Sequence, residues 1–425
     1  MSGLLRSCVV AAGLLAIWIS AAGAQSNGDG LIRIVNCDQK VQSHKRGICA
    51  NHLSVEDIRA LAPGVSWWYN WYYQPNEALP DQAAFEFIPM AWGDRPDDLA
   101  GLERYLAAGH KPRAVLAINE PNLRGQAFIS PERTAALYIK IKAIADKYGI
   151  EVVGPNMSLG STVADSITAF DPIDKKDVTY TFMVPFLKAF FHDVANTDVP
   201  YVAFHTYGNV GELQWAVGML HKEFNRPLWV TEFAQWNNPN DQAARNYLIQ
   251  ATDFLERSPD VAAYSWFKER VDKNKTISLL SDASGRLTPI GQTYVAMPVH
   301  DSDIYYRIPG QLDAARYLAM ENAQVLPTTA GEGMLDMTAA KPGAWLDYHL
   351  QVDAEGTYRL VLQVGGKPGQ IEILQNDQVV ATVRPNDQSW QKTEASVRFS
   401  AGAQTMRIRL NSQGQAIHSI AFAKD

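Results

Sequence analysis

The hydrophobic and polar positions of the chain follow two patterns, one up to about residue 298 and another after it. In the first part, short apolar runs alternate with amphipathic stretches of helical spacing. A short apolar run predicts a buried strand, and apolar residues at every third or fourth position predict a helix. The predicted strands are RGICAN, VSWWYNW, EFIPMAW, AVLAIN, EVVGPN, YVAFHTY, PLWVTEF and VAAYSWF.

The stretches between these runs predict helices, most clearly at residues 130–149. Ser130 is a candidate N-cap, Glu132 lies in the first turn, and Gly149 marks the end. Strands separated by helices pair in parallel, because the chain must cross back over the sheet. Eight such units in about 255 residues predict an α/β fold, a closed (β/α)8 TIM barrel. An open doubly wound sheet is the alternative, but no G-x-G-x-x-G follows the first strand.

After about residue 298 the helical spacing fades, and short strand-like runs separated by turns replace it. These runs are AWLDYHLQV, GTYRLVLQV, QIEILQN, QVVATV, EASVRFS and TMRIRLN. Such a pattern over about 115 residues predicts an all-β sandwich. We therefore predict a barrel domain at residues 25–300 and a sandwich domain at residues 301–425, joined near residues 297–303.

The first 24 residues have the pattern of a secretory signal peptide. Arg6 precedes an apolar run at residues 9–22, and Ala22 and Ala24 form an A-x-A cleavage pattern. A membrane anchor is the alternative, but the run is short for a span and lacks a basic flank. We expect cleavage after residue 24 and secretion, into the medium or into the periplasm of a Gram-negative bacterium. The mature chain is then expected to have no contact with a membrane.

Composition and charge narrow the function classes. The net charge of the 425-residue chain is −7, with no long run of either sign, so nucleic-acid binding is not expected. Outside the predicted signal peptide, Cys37 and Cys49 remain. They predict one extracellular disulfide, with a buried free thiol at Cys49 as the alternative. The chain lacks H-E-x-x-H, G-x-S-x-G and a P-loop, so we expect no metal, no cofactor, no serine hydrolysis and no phosphate transfer.

Two glutamates stand at the carboxyl ends of predicted strands, where a barrel of this kind places its active site. Glu120 ends the fourth strand and Glu232 ends the seventh. A single glutamate at a strand end is ordinarily a solvated or salt-bridged residue. Two carboxyls that face each other across a barrel mouth are what glycoside hydrolysis needs: one protonates the leaving oxygen, and the other acts at the anomeric carbon.

Aromatic and polar residues at the other strand ends fit a sugar substrate. Sugar C–H faces pack on aromatic rings, and sugar hydroxyls take polar partners. The candidate substrate contacts are Asn119, His205, Tyr207, Trp68, Tyr69, Trp92, Trp236 and Trp266. His205 and Tyr207 have core positions as alternatives. Neighbours on a strand point to opposite faces, so the aromatic residues of SWWYNWYY cannot all face the mouth, and we favour Trp68 with Tyr69 or Asn70.

The barrel region resembles glycoside hydrolase family 128, a group of retaining β-1,3-glucanases with (β/α)8 barrels. The resemblance rests on WWYNW, IPMAWG, INEPN, FHTYG, LWVTEFA and YSWF, which occur in the family's order. It implies a retaining β-1,3-glucanase with Glu120 as acid/base and Glu232 as nucleophile. We expect endo action, with exo action as the open alternative. The chain departs from the family pattern at Asn122, where Asp is common, and at Thr206, where Trp is frequent.

The C-terminal region resembles carbohydrate-binding module family 6 through three segments, residues 308–317, 344–364 and 389–410. Its framework strands match, but most of the sugar-contacting positions do not. At three of them the chain has Ala315, Met334 and Ala416. Trp390 remains, with core packing as its alternative role. We therefore expect a sandwich that packs on the barrel or binds glycan weakly.

The leading hypothesis is thus a monomeric enzyme that hydrolyses β-1,3-glucan. Two alternatives remain open: a related barrel acting on another β-glycan, such as a mixed-linkage glucan or xylan, and a glycan-binding protein without catalysis. The presence of both Glu120 and Glu232 argues against the second alternative.

Overall fold

The computed structural model describes residues 32–77, 85–194, 197–330 and 334–425. The predicted signal peptide lies outside these residues. The α-helices are α1 Val55–Leu61, α2 Pro96–Ala107, α3 Pro131–Asp146, α4 Met183–Asp193, α5 Val210–Phe224, α6 Asp241–Arg257 and α7 Pro289–Ala296. A 3-10 helix spans Lys275–Ile277. Within the described ranges, no helix is long and apolar enough to cross a membrane.

The strands fall into an N-terminal and a C-terminal set. Up to residue 267 they are β1 Arg33–Asn36, β2 Ser43–Cys49, β3 Val65–Tyr69, β4 Glu86–Phe87, β5 Met90–Ala91, β6 Ala114–Ala117, β7 Glu151–Val153, β8 Asn156–Ser158, β9 Thr168–Asp171, β10 Lys176–Thr179, β11 Val202–Thr206, β12 Leu228–Phe233 and β13 Val261–Phe267. After residue 303 they are β14 Ile304–Ile308, β15 Gly310–Asp313, β16 Ala319–Glu321, β17 Ala323–Pro327, β18 Leu335–Ala339, β19 Ala344–Val352, β20 Gly356–Gly366, β21 Ile371–Gln375, β22 Gln378–Val383, β23 Gln391–Phe399, β24 Gly402–Leu410 and β25 Gln415–Lys424.

Apart from the antiparallel hairpin β9-β10, the strands from β2 to β13 form a parallel α/β structure. Seven strands form a sheet in the order β4-β3-β2-β13-β12-β11-β8, and β5-β6-β7 form a second one. Backbone bonds join the two sheets on both sides: Met90 N donates to Tyr72 O, and Glu120 N donates to Asn156 O. Every predicted strand is present, and a helix separates consecutive predicted strands except between β3 and β4, where the described residues contain none.

Two of the predicted strands are each divided by a proline. EFIPMAW becomes β4 and β5 on either side of Pro89, and EVVGPN becomes β7 and β8 on either side of Pro155. Proline has no N–H to give to a ladder, so it interrupts the pairing. The predicted helix at residues 130–149 is α3, and the Ser130 side chain caps it by accepting from Arg133 N.

The strands of the α/β half separate two apolar layers. Trp67, Tyr69 and Trp229 pack with other inward-facing side chains in an inner cluster. Trp68 and Trp266 point the other way, into the layer shared with the helices. The two layers follow from the period of two along a strand. This parity decides which strand-end side chains reach the mouth above the inner cluster.

The C-terminal part consists of strands in two sheets, with no helix among its described residues. One sheet has the order β1-β14-β19-β24-β21-β22, and β16 pairs with β19. The other has the order β17-β18-β25-β20-β23, and β15 pairs with β25. All six predicted strands are found here, and β19 and β22 have the predicted bounds.

The N-terminal strand β1 belongs to the C-terminal sheet. It pairs in parallel with β14, although it lies within the segment that we assigned to the barrel. A second connection involves Asp253 of α6, which accepts hydrogen bonds from Tyr317 and His300. Asp253 is 4% exposed, so the connection lies in a buried contact between the two parts.

The two cysteines are free and buried, so the predicted disulfide is wrong. Cys49 lies in the inner cluster beneath the site, where its Sγ donates to Trp266 O. Cys37 lies near the C-terminal sheet, and its Sγ donates to Arg307 O. Burial raises the pKa of the Cys37 thiol to about 11. The alternative of a buried free thiol at Cys49 is the one observed.

Candidate active site

Glu120 and Glu232 meet at one end of the parallel sheet. Glu120 comes three residues after β6, and Glu232 is the penultimate residue of β12. The two residues are 6% and 4% exposed. Together with His205 of β11, each offers an atom within 4.8 Å of the others. The structure therefore brings the two predicted carboxyls into one small, nearly buried space.

Three hydrogen bonds hold the Glu232 carboxylate. Trp71 Nε1 donates to Oε1 across 2.7 Å, and the single O–H of Tyr69 is shared between the same oxygen at 3.1 Å and Thr231 O at 3.0 Å. Tyr207 OH donates to Oε2. Burial and the Glu232 charge raise the pKa of Tyr207 well above its ordinary value, so the phenol keeps its proton. Glu232 is thereby fixed in position as an acceptor with both oxygens occupied.

His205 lies between the two carboxylates. Its Nδ1 is 2.9 Å from Glu120 Oε1 and 3.5 Å from Glu232 Oε2. Burial disfavours the imidazolium, but the two carboxylates outweigh it and raise the pKa of His205. Burial also raises the pKa of Glu232; His205 and the hydrogen bonds oppose that rise, while Glu120 adds to it. The protonation states of His205 and Glu232 therefore depend on each other.

The backbone at the site is strained. Glu120 has a φ of 43°, Ile118 has a φ of 56°, and Trp71 has a φ of 58°. Non-glycine residues seldom adopt this left-handed region, and such residues cluster at functional sites.

Glu120 Oε2 has no hydrogen bond within the described part of the chain, in contrast to the oxygens of Glu232.

Aromatic rings surround the Glu232 side of the site. Tyr207 lies 5.4 Å from Phe267 and 6.4 Å from Trp236, measured between ring centres. Trp71 lies 5.9 Å from Phe267. Trp236 is 39% exposed, whereas the other three are half-buried. Flat apolar surfaces of this kind suit the C–H faces of a sugar.

Two further predicted residues lie at the Glu120 side. Asn119 is 3% exposed; its Nδ2 donates to Gln126, while Oδ1 is buried without a partner among the described residues. Trp92 is half-buried, its carbonyl accepts from Asn119 N, and the Arg95 guanidinium lies 4.6 Å from its ring centre.

The structure does not bring two of the predicted tryptophans to the site. Trp68 is 1% exposed and packs edge-on against Phe87, facing the helices. Trp266 is fully buried, and its Nε1 donates to Ile277 O. Both predictions placed the side chain on the wrong face of its strand. Trp68 and Trp266 are core residues. Tyr69 does reach the site, through its hydroxyl.

The residues that take their places are Trp71 and Phe267, which the sequence analysis did not select. Both pack against the inner cluster. Phe267 is the next residue after Trp266, so parity along β13 could have identified it. Trp71 lies beyond the end of β3, where strand parity no longer applies.

The same three residues, Glu120, His205 and Glu232, have the composition and spacing of a cation site. The donors on Glu232 argue for a different use. Trp71, Tyr69 and Tyr207 direct N–H and O–H groups at its oxygens and so disperse the negative charge that a cation would need, while Oε2 keeps one lone pair free. The arrangement is therefore suited to an organic substrate between an acid and a fixed carboxylate.

Comparisons with known proteins agree with this geometry. A family described as "Glycosyl hydrolase catalytic core" matches residues 47–294, more than half of the chain. An endo-β-1,3-glucanase of glycoside hydrolase family 128, subgroup II, from Sorangium cellulosum is 31% identical. The match covers 60% of this chain and 100% of that one, with a TM-score of 0.53.

A subgroup II enzyme of the same name from Pseudomonas viridiflava is 33% identical, with coverage of 61% and 100% and a TM-score of 0.51. No curated protein matches the chain. The family match and the full coverage of both solved enzymes lead to one conclusion. The chain is a glycoside hydrolase and belongs to glycoside hydrolase family 128.

Proposed function

We propose that the protein is a retaining endo-β-1,3-glucanase in which Glu120 is the acid/base and Glu232 the nucleophile. The observation that carries the proposal is the close approach of Glu120 and Glu232. One carboxylate oxygen of each residue lies within 4.8 Å of one from the other. Retaining enzymes keep their carboxyls about 5–5.5 Å apart, whereas inverting enzymes leave about 6.5–9.5 Å for a water molecule. The substrate follows from the two solved relatives, which are both described as endo-β-1,3-glucanases.

The asymmetry of the two carboxyls supports the assignment of roles. Glu232 accepts hydrogen bonds from Tyr69, Trp71 and Tyr207, which favour its ionised form and aim it at one point. Glu120 contacts His205 through Oε1 alone, so Oε2 is available to hold or give a proton. A fixed anion suits the nucleophile, and a carboxyl with one open oxygen suits the acid.

The reaction then proceeds in two displacements. In the first, Glu232 attacks the anomeric carbon, and Glu120 gives its proton to the glycosidic oxygen, so that the leaving chain departs as a neutral alcohol. In the second, Glu120 removes a proton from water, and the hydroxyl oxygen replaces Glu232 at the same carbon. His205 Nδ1 lies 2.9 Å from Glu120 Oε1 and 3.5 Å from Glu232 Oε2, so it can stabilise whichever of the two carboxyls is ionised at each stage.

We extend the proposal to the architecture, location and oligomeric state of the protein. The parallel sheets close into a (β/α)8 barrel, the chain is secreted after removal of residues 1–24, and it acts as a monomer. The backbone bonds between the two sheets support closure. The C-terminal part is a family 6-like module that mainly packs on the barrel.

Trp390 supports this reading of the C-terminal module. It is half-buried, and its Nε1 donates to Thr329 Oγ1. Its ring meets His418 edge-on at 6.1 Å. An aromatic ring engaged in this way offers about 1 kcal/mol to a sugar, against about 8 kcal/mol for micromolar affinity.

The test is reducing-sugar release from laminarin, cellulose, lichenan and xylan by the purified protein. We expect laminarin to be cleaved fastest. Preferred cleavage of lichenan or xylan would favour the alternative of another β-glycan. Binding of laminarin without release of sugar, in a correctly folded preparation, would favour the non-catalytic alternative.

A further inference from the structure

A lysine beside the Trp71 and Phe267 rings has no hydrogen-bond acceptor among the described residues. Lys268 directly follows β13, and its ammonium lies 5.8 Å from the Trp71 ring centre and 5.9 Å from that of Phe267. Its side chain is 14% exposed. The carboxylate oxygen paired with it, Glu269 Oε1, is 3.7 Å away, beyond hydrogen-bond distance. Within the described ranges, its three N–H donors are therefore unused.

The position of Lys268 relative to the reacting bond follows from its neighbours. Trp71, whose ring is next to the ammonium, donates its N–H to Glu232. Phe267, the other ring beside it, contacts Tyr207, which also binds Glu232. In the proposed reaction the attacked sugar lies over Glu232, and the leaving chain lies toward Glu120. Lys268 thus lies on the side of the sugars that stay attached to the enzyme.

An ammonium in this position gains from a substrate hydroxyl. Partial burial removes part of its hydration, and an unmet donor in such a place carries a free-energy cost. Glu269 compensates the charge, but its distance leaves the directional donors free. Sugar hydroxyl oxygens accept hydrogen bonds, and bonds from a charged donor are stronger than neutral ones. Lys268 and the adjoining Trp71 and Phe267 rings together offer a polar and an apolar contact.

We propose that Lys268 is a substrate-binding residue that donates to hydroxyls of the glucosyl units on the Glu232 side of the scissile bond. The inference rests on the proposed function. The ammonium then contacts the part of the glucan that forms the covalent intermediate. It makes no contact with the leaving chain.

The test uses a substrate whose sugars all lie on the Glu232 side. An aryl β-laminaribioside meets this condition, because its aryl group takes the place of the leaving chain. The Lys268→Met variant retains the length of the side chain and removes the ammonium. We expect kcat/KM to fall about 10- to 100-fold on this substrate and on laminarin alike, with a raised KM, when rates are measured well below the melting temperature of the variant.

Lys176→Met is the matched control, since Lys176 is 67% exposed on β10 and pairs with Asp174. Its kcat/KM should equal that of the wild type. A Lys268→Met enzyme within twofold of the wild type on both substrates would overturn the inference, as would a loss confined to laminarin. If this variant melts early, the double variant Lys268→Met/Glu269→Gln, which leaves no unpaired charge at this position, provides the second measurement; normal kcat/KM per folded molecule would then assign Lys268 to stability alone. A wild type that cleaves neither substrate would overturn the proposed function, and the inference with it.

Discussion

The indole N–H of Trp71 donates to Glu232 Oε1 across 2.7 Å. Trp71 comes two residues after β3, with a φ of 58°, so its ring turns back over the mouth. Trp68, three residues earlier in the same aromatic run, faces the helices and is 1% exposed. The two tryptophans thus have different roles, and this difference can be measured.

Trp71→Phe should lower kcat/KM on laminarin about 10- to 100-fold, because a hydrogen bond to the charged nucleophile is lost. Trp68→Phe is the control: its Nε1 is buried without a partner among the described residues, so only packing changes. We expect this control to lose stability by about 1–2 kcal/mol and to retain kcat/KM. The comparison requires steady-state kinetics and thermal unfolding of both variants. Equal activity loss in the two would contradict the assigned roles.

The pH dependence of the enzyme should report the buried Glu232. Burial raises its pKa above the ordinary 4.5, and the nucleophile must be ionised to attack. Activity should therefore fall as the pH drops through this raised value, and the acidic limb of kcat/KM should lie above pH 4.5.

Removal of the Tyr207 donor should move that limb further. The hydrogen bond from Tyr207 lowers the pKa of Glu232, so Tyr207→Phe should shift the acidic limb to higher pH. Tyr201→Phe is the matched control, because Tyr201 donates to Glu151 rather than to Glu232. A limb that stays in place, or that moves to lower pH, in Tyr207→Phe would show that the phenol does not stabilise the ionised nucleophile.

The two glutamates should fail in different ways when truncated. Glu232→Ala should lose at least about 10⁴-fold in kcat on every substrate, since no nucleophile remains. Glu120→Ala should lose about 10²- to 10⁴-fold on laminarin but much less on an aryl β-laminaribioside, whose leaving group needs no proton. Rates on the two substrates check this. The reverse pattern would exchange the two roles.

Sequence pattern predicted most of the fold and the central pair, but not the lining of the site. Glu120 and Glu232 were found because parallel strands deliver their ends to one edge. The lining depends on parity at the last residue of a strand, where a one-residue error exchanges Trp266 with Phe267. Trp71 lies beyond the strand, in a left-handed backbone conformation that the pattern of hydrophobic and polar residues does not predict.

The strands β1 and β25 show the same limit in the C-terminal part. β25 is buried along nearly all of its length, so it lacks the alternation that marks a half-exposed strand. β1 is far from its partner β14 along the chain, and only the tertiary structure brings the two together. The disulfide prediction failed for the same reason, because cysteine count carries no information on distance.

Removal of the C-terminal part near residue 303 should destabilise the enzyme. The cut removes β14, the partner of β1, and Tyr317, which donates to the buried Asp253. A buried carboxylate that loses its donor costs about 1–3 kcal/mol, so the melting temperature should fall. Activity per folded molecule should fall equally on soluble and insoluble β-1,3-glucan. A loss confined to the insoluble polymer, with retention of the isolated part on it, would identify a working binding module.

The anomeric configuration of the first product tests the central claim most directly. Proton NMR during the first minutes of laminarin cleavage distinguishes the two anomers before they equilibrate in water. Glu232 as nucleophile and Glu120 as acid/base predict that the β-anomer of the new reducing end appears first. Initial release of the α-anomer would show direct attack by water and would contradict the double displacement that the close approach of Glu120 and Glu232 supports.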